Sequence, residues 1–203
     1  MAKKLKDWFD GDCATLLGRA IKANHKTFDI DSYAAEVDRG VRPLELKDRV
    51  GLMSDALGTD ELHISLDLCE AITQRHTAEY AIRPYLELYP SETLTRIHQW
   101  VRHPNSHVRR LALEGVRPRL PWARRLTAFS ENPHPAAAIA HALRSDPSRY
   151  VRKSVANLIN DISKDHAALV IELVGRWQDD VSQDTRWIIR HGTRTLRKRG
   201  LMG

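Results

Sequence analysis

The chain has 203 residues and a net charge of +6, with 29% charged and 6% aromatic residues. That length suits one domain or a compact pair, and many Leu, Ala and Arg with few aromatics favour an all-α fold over a β-sandwich. Cys13 and Cys69 stand far apart without a CxxC or CxxH pattern, which argues against a disulfide framework or a cysteine-based zinc site.

The charge is unevenly distributed along the chain. Residues 1–100 hold 13 Lys and Arg against 17 Asp and Glu, a net of −4, whereas residues 101–203 hold 19 against 9, a net of +10. A basic half of this kind indicates a polyanion-binding protein. No apolar signal-peptide core follows the charged N-terminus, and no stretch approaches the ~18 apolar residues of a membrane helix. We therefore expect a soluble, cytoplasmic, nucleoid-associated protein that is not exported.

Helices are predicted in the first half from apolar residues at three- and four-residue steps and from the turn signals between them. They span residues 14–23, 32–39, 44–57 and 62–73. We take residues 1–90 as the N-terminal helical part of one domain that covers residues 1–203.

A repeat occupies residues 91–203. The first copy has a helix over 94–101, a break at Pro104 and a helix over 107–117 that begins with Val108. The same pattern returns 43 positions later as a helix over 136–143, a break at Pro147 and a helix that begins with Val151. A third, less regular copy covers 167–177 and 184–199. Helix pairs with this period are typical of HEAT-type proteins. We predict a HEAT-like repeat α-solenoid whose second helices line a concave basic face.

Basic side chains recur on the second helix of each copy, at spacings that place them on one face. The first such stripe is either an ion-pair ladder on a solvated helix or part of a site, and the second is either an ordinary helix end or part of a site. The third is either a solvated face or part of a site. The stripes are Arg110, Glu114 and Arg117; then Lys153, Asn157 and either Asn160 or Asp161; then Arg186, Arg190 and Arg197, with Trp187, His191 and Arg194 beside them.

Three basic stripes lining one groove would match the DNA backbone, whose counterions are released on binding. Phosphates repel carboxylates, so Glu114 and Asp161 need another reason to lie there, and chemistry is one candidate. Trp122 sits on a turn stiffened by Pro118 and Pro121. It is either half-buried packing or an indole face offered to a base.

Several blocks of this sequence resemble the AlkC branch of the HEAT-like DNA glycosylases. The blocks are AEYAIRPY (78–85), HVRRLALEGVRPRLPW (107–122), VRKSVAN (151–157), NDISKD (160–165) and TRWIIRH (185–191), with weaker similarity at LKDWF (5–9) and LELKDRV (44–50). Together they are spread from residue 5 to residue 191, and the block at 107–122 is the most specific.

The resemblance implies excision of 3-methyladenine and related N3-alkylated bases from duplex DNA without flipping the base out, and it leaves open whether 3-methylcytosine is accepted. It implies Glu79, Glu114 and Asp161 as active-site carboxylates and Trp122 as the aromatic against the lesion nucleotide. Arg110 and Arg117 follow as DNA contacts or carboxylate positioners. We extend the DNA-binding set to the other stripe residues, which are Lys153, Asn157, Arg186, Trp187 and Arg190.

We expect no metal or organic cofactor, because the histidines are scattered and no Gly-rich phosphate loop is present. We also expect a monomer. Longer family members carry an immunoglobulin-like domain after the solenoid, so a chain that ends at Gly203 is expected to engage DNA with the solenoid alone. The alternative function is a non-catalytic HEAT-type module that binds nucleic acid or an acidic protein through the same basic face.

Overall fold

The structure, a computed structural model, describes residues 59–75, 77–177 and 182–203. All regular secondary structure in these ranges is helical, which confirms the predicted all-α class. The helices are α1 (Thr59–Thr73), α2 (Arg83–Leu88), α3 (Pro90–Trp100), α4 (Ser106–Gly115), α5 (Thr127–Glu131), α6 (His134–Ala142), α7 (Arg149–Ser163), α8 (Ala167–Trp177), α9 (Gln183–Gly192) and α10 (Arg194–Lys198).

The chain divides into two compact units, Met1–Thr93 and Leu94–Gly203. The helices predicted over 14–23, 32–39 and 44–57 lie outside the described residues, whereas the helix predicted over 62–73 is found as α1. A single domain over the whole chain stays a prediction. Among the described helices, none combines the length and the apolar character that a bilayer crossing requires.

In the first unit, α1 buries apolar side chains at four-residue steps, as at Leu62 and Leu66. Cys69 lies on the same helix, and burial raises the pKa of its thiol to about 12. The thiol is therefore protonated and chemically inert at neutral pH. Pro84 occupies the first turn of α2, where its missing N–H is tolerated.

The predicted helix pairs are α3–α4, α6–α7 and α8–α9, and all of their residues after Thr93 belong to the second unit. Helix α7 packs against both α4 and α9, so the second helices of successive pairs are neighbours. Asn105 caps α4 by accepting a 2.8 Å hydrogen bond from the backbone N–H of His107. This order of stacked pairs is that of a HEAT-like repeat and confirms the predicted fold class.

Equivalent arginines bind the turn of their own repeat. Arg109 Nη1 donates hydrogen bonds of 2.8 Å to the carbonyls of residues 103 and 104. Arg152 Nη1 donates bonds of the same length to the carbonyls of residues 146 and 147. Both the arginines and their acceptors are 43 positions apart, so the repeat is reproduced at the level of single hydrogen bonds.

The same arginines also reach the next repeat. Arg109 Nε lies 2.5 Å from Asp146 Oδ2, and Arg152 Nη2 lies 2.9 Å from Asp184 Oδ1. The hydrogen bond to Asp146 raises the pKa of Arg109. We define these two residues and their acceptors as the arginine ladder. The sequence pattern places Val108 and Val151 at the starts of these helices but does not predict a role for the arginines that follow them.

The third repeat departs from the prediction of one helix over 184–199. The structure divides it into α9 and α10 at Thr193, whose φ of −99° and ψ of 11° leave the helical region. Thr193 Oγ1 donates a 2.7 Å hydrogen bond to the carbonyl of Ile189. A glycine followed by a threonine that bonds back to the preceding turn favours a helix end over continuation. The short helices α2 and α5 were also not predicted.

Gly192 allows α9 to approach α7 closely. A Cβ built at this position would lie 2.1 Å from Ile159 Cδ1 and 3.2 Å from the carbonyl oxygen of Ala156. Ile159 is fully buried, so its side chain has little room to move. Gly192→Ala is therefore expected to lower the free energy of unfolding by about 1–3 kcal/mol in urea denaturation, as overpacking does.

Gly175 provides the matched control for that substitution. It lies on the exposed face of α8, and a Cβ there would meet nothing within 4 Å. Gly175→Ala is expected to raise stability by about 0.5–1 kcal/mol, because alanine has the higher helix propensity. A Gly192→Ala protein as stable as the Gly175→Ala protein would contradict the close approach.

Trp177 couples the stability of this unit to the protonation of one histidine. Its buried indole Nε1 donates a 2.9 Å hydrogen bond to His141 Nδ1, which only a neutral ring can accept. Desolvation, with added repulsion from Arg144 and Arg176, lowers the pKa of His141 below 6.5. The bond is thus fully present above about pH 6.5 and is lost as the pH falls through the lower folded value.

The stability difference between the wild type and His141→Leu should therefore shrink between pH 8 and pH 5. Thermal unfolding of both proteins across that range measures it. A constant difference over the range would show that protonation of His141 is not linked to folding.

Candidate active site

Glu114, Arg117 and Asp161 form one buried cluster in the second unit. Their exposed fractions are 4%, 8% and 2%. Arg117 Nε donates to Asp161 Oδ2 at 2.7 Å, and Arg117 Nη1 donates to Glu114 Oε2 at 2.8 Å. We call these three residues the carboxylate cluster. A solvated ion-pair ladder, the alternative open at the sequence level, is wrong for Glu114 and Arg117.

The helix ends explain how the cluster forms. Glu114 is the penultimate residue of α4, and Asp161 lies two residues before the end of α7 at Ser163. Pro118 prevents continuation of the first helix and leaves Arg117 in the turn. Because α4 and α7 are neighbours, the two carboxylates meet around the guanidinium.

Carboxylates are poorly placed at these positions without cations. The C-terminus of a helix carries partial negative charge, which repels an anionic side chain. Two cations compensate here, since Lys164 Nζ lies 3.0 Å from Asp161 Oδ1 in addition to the contacts of Arg117. Burial alone would lower the pKa of Arg117, but attraction to Glu114 and Asp161 outweighs it and the pKa is raised. The guanidinium is permanently charged.

A serine completes the hydrogen bonding of the cluster. Ser154 Oγ, on α7, donates to Glu114 Oε1 at 2.6 Å. Each of the four carboxylate oxygens of Glu114 and Asp161 thereby accepts a hydrogen bond from a different donor atom. Such bonds fix the orientation of both carboxylates before any ligand arrives.

Asn160 and Asp161, the two alternatives for one position of the second stripe, have different partners in the structure. Asn160 Oδ1 accepts hydrogen bonds from the backbone N–H and the hydroxyl of Thr195, at 3.2 and 2.9 Å. Asp161 instead faces Arg117. Asn160 therefore joins the second and third repeats, and Asp161 belongs to the cluster.

The other residues of the first two stripes, which are Arg110, Lys153 and Asn157, make contacts outside the carboxylate cluster. Arg110 is half-buried, with its guanidinium carbon 4.8 Å from the ring centre of Tyr150. Lys153 is exposed, and the side-chain Oδ1 of Asn157 accepts a 3.4 Å hydrogen bond from Arg194 Nη2. These three residues lie on α4 and α7, the same helices that hold the cluster.

The third stripe forms a shallow groove with apolar neighbours. Arg186, Arg190 and Arg197 line it together with Ile189 and Met202. Trp187, which follows Arg186 in the chain, stacks on His191 with 4.0 Å between ring centres. The groove is strongly basic and carries no acidic lining residue among those described.

Trp122 is 92% exposed, so the alternative of half-buried packing is wrong. Its φ of 65° is in the left-handed region, which is unusual for a bulky side chain. The indole is therefore presented to solvent by a strained backbone.

Glu79 is buried in the turn segment before α2, in the first unit. Its place in the same site as Glu114 and Asp161 stays a prediction.

Sequence reasoning missed Ser154 and Lys164 as partners of the carboxylates. Ser154 could have been noticed as a polar residue on the apolar face of α7, next to Val151 and Val155. For Lys164, the i, i+3 spacing from Asp161 was the available signal.

Comparison with known proteins gives concordant results. The family model described as DNA alkylation repair enzyme matches residues 70–196. The Pseudomonas fluorescens alkylpurine DNA glycosylase AlkC, solved bound to DNA containing an abasic site analog, is 40% identical, with a TM-score of 0.71 over 78% of this chain and 43% of that chain. The uncharacterized protein YhaZ of Bacillus subtilis (strain 168) is 45% identical over 136 residues, which are 67% of this chain and 38% of that protein.

AlkD2 from Streptococcus mutans is 19% identical with a TM-score of 0.51, over 88% of this chain and 98% of that chain, and shows similarity of fold alone. The present chain spans less than half the length of the Pseudomonas and Bacillus relatives.

Proposed function

The chain belongs to the DNA alkylation repair enzyme family, and on that premise we propose that it is a DNA glycosylase that hydrolyses the N-glycosidic bond of N3-alkylated bases in duplex DNA. The observation that carries the proposal is the carboxylate cluster, two buried carboxylates oriented by one arginine within a strongly basic part of the chain. Similarity to the DNA-bound glycosylase from Pseudomonas supports the same activity.

The chemistry suits carboxylates. An N3-alkylated purine already carries positive charge, so its glycosidic bond breaks to release a neutral base without protonation by the enzyme. The sugar develops oxocarbenium character and must be captured by water. A negative side chain near the sugar stabilises that charge and can accept the proton of the attacking water.

Glu114 and Asp161 are the proposed catalytic carboxylates, with Glu79 as a further member. Each oxygen of Glu114 and Asp161 has two acceptor positions, and one bond from the cluster leaves capacity for a water or a sugar hydrogen. Arg117 fixes the positions of the two carboxylates relative to each other. Because the cluster is buried, its field on a nearby cation is less screened than at an exposed site.

The proposed DNA contacts follow from exposure and charge. Trp122 offers its indole face to the cationic base, a contact that a neutral base would make less favourably. Lys153, Arg186 and Arg190 are exposed cations that can pair with phosphates. Arg110, Asn157 and Trp187 complete the proposed binding set.

The direct test is incubation with methylated duplex DNA, followed by chromatography of released bases and counting of abasic sites. We expect free 3-methyladenine, and parallel duplexes with 3-methylcytosine or 7-methylguanine define the lesion range. The competing function, a non-catalytic HEAT-type module, predicts DNA or protein binding with no released base.

Binding is expected to depend steeply on salt, and Lys153→Gln should reduce the slope of log K against log salt by about 1, because one phosphate contact is lost. Titration of a fluorescent duplex between about 50 and 200 mM salt measures the slope. An unchanged slope would remove Lys153 from the interface.

A further inference from the structure

The loop over residues 118–126 carries Trp122 at its apex and is closed at its base. The backbone N–H of Leu126 donates to the carbonyl of Pro118 at 3.2 Å, and the side chains of Leu120 and Leu126 are buried. The apex carries a further backbone hydrogen bond, from the N–H of Ala123 to the carbonyl of Leu120 at 3.2 Å, while the Trp122 side chain extends into solvent with a positive φ. A conformation of this kind persists when its surroundings fix it.

Asp165 binds both flanks of that apex. Arg119 Nη2 donates to Asp165 Oδ1 at 2.8 Å and Arg119 Nε to Oδ2 at 3.2 Å, while Arg125 Nη2 donates to Oδ2 at 2.8 Å. Arg125 Nε also donates to Ser130 Oγ at 2.8 Å. One carboxylate thus joins residues three positions before and three positions after Trp122. Networks and fork-shaped arginine contacts are the cases in which partly exposed ion pairs matter.

The anchor lies next to the carboxylate cluster. Asp165 follows Asp161 by four residues, just beyond the end of α7. The hydrogen bond to Asp165 is the largest contribution to the raised pKa of Arg119, and the charge of Asp161 adds to it. The hydrogen bond from Arg119 likewise lowers the pKa of Asp165, so its carboxylate is ionised at neutral pH. A shift of the loop would therefore change the position of Trp122 relative to the catalytic carboxylates.

We propose that Asp165 is a positioning residue, which holds Arg119 and Arg125 on either side of Trp122 and so fixes the indole for the damaged nucleotide. The proposal rests on the function proposed above for Trp122. Asp165 touches the protein's own arginines and acts through them.

Trypsin provides a test that needs no DNA, because the loop contains cleavable bonds after Arg119, Arg124 and Arg125. Asp165→Asn keeps the size of the side chain and removes its charge. We expect cleavage within 118–126, mapped by mass spectrometry, to accelerate about tenfold as the loop opens locally. Asp165→Glu, which keeps the carboxylate, should lie closer to the wild type.

The matched control is Asp184→Asn, which removes the partner of Arg152 in the same unit without touching the loop. Equal loop cleavage in the Asp165→Asn and Asp184→Asn proteins overturns the proposal. If Asp165→Asn does not fold, Arg119→Gln and Arg125→Gln each release one flank and remove one trypsin site, and cleavage after the remaining arginines of the loop should accelerate.

A double-mutant cycle tests whether Asp165 acts through the tryptophan. Asp165→Asn should lower kcat/KM for base release about tenfold in the wild-type background and less than about twofold in Trp122→Ala, since coupled residues are not additive. Equal losses in both backgrounds overturn the positioning role. If the wild type releases no base while the trypsin difference persists, the proposed function fails and the loop anchor stands.

Discussion

Glu114→Gln and Asp161→Asn are each expected to lower the rate of base release by about 10²- to 10⁴-fold. Each substitution keeps the shape of the side chain and an acceptor oxygen for Arg117, but removes the negative charge that would stabilise the cationic sugar. Single-turnover release of 3-methyladenine from a defined duplex measures the effect. Binding to DNA with an abasic site analogue should change far less, because phosphate contacts supply most of that affinity.

The control is Glu172→Gln on α8, where the carboxylate is exposed and only weakly paired with Arg176 at 3.9 Å. We expect wild-type turnover for this protein. Unchanged turnover in both cluster variants would remove Glu114 and Asp161 from the mechanism, whereas the absence of base release by the wild type would favour the non-catalytic alternative.

Arg117→Met is expected to destabilise the protein by about 3–5 kcal/mol, because it leaves two buried carboxylates without their shared cation. Urea denaturation at neutral pH measures the change. Arg176→Met, at an exposed and loosely paired position, should stay within about ±0.5 kcal/mol of the wild type.

A neutralised cluster separates the charge effect from the packing effect. In a protein that already carries Glu114→Gln and Asp161→Asn, Arg117→Met should be much less destabilising, because the uncompensated negative charges are gone. An undiminished loss in that background would mean that Arg117 stabilises the fold through packing and not through charge.

Regular structure in the second unit could be predicted closely because helix pairs leave a periodic signal. The helix expected over 167–177 is found with those limits as α8, and the breaks at Pro104 and Pro147 are where the repeat placed them. The helix end at Thr193 was missed, since it depends on a side chain that bonds back to the preceding turn. The helix propensities of the neighbouring residues do not predict that hydrogen bond.

The candidate site was less accessible to sequence reasoning. Spacing alone left Glu114 compatible with a solvated face, and the resemblance to a known family, not periodicity, singled it out. Arg117 meets Asp161 across 44 positions of chain, a pairing that depends on how two helix ends approach. The anchoring role of Asp165 also depends on contacts between residues far apart in the chain, which the sequence pattern does not predict.

The arginine ladder has a consequence for how the second unit loses its structure. Arg109 and Arg152 each bond to their own turn and to an acid of the following repeat. When one repeat opens, its neighbour therefore loses a charged partner as well as packing surface. Nearest-neighbour coupling of this strength makes a linear array cooperative. The backbone amides of α4 and α7 are thus expected to exchange with solvent deuterium through one shared opening event, and not through separate openings of the individual repeats.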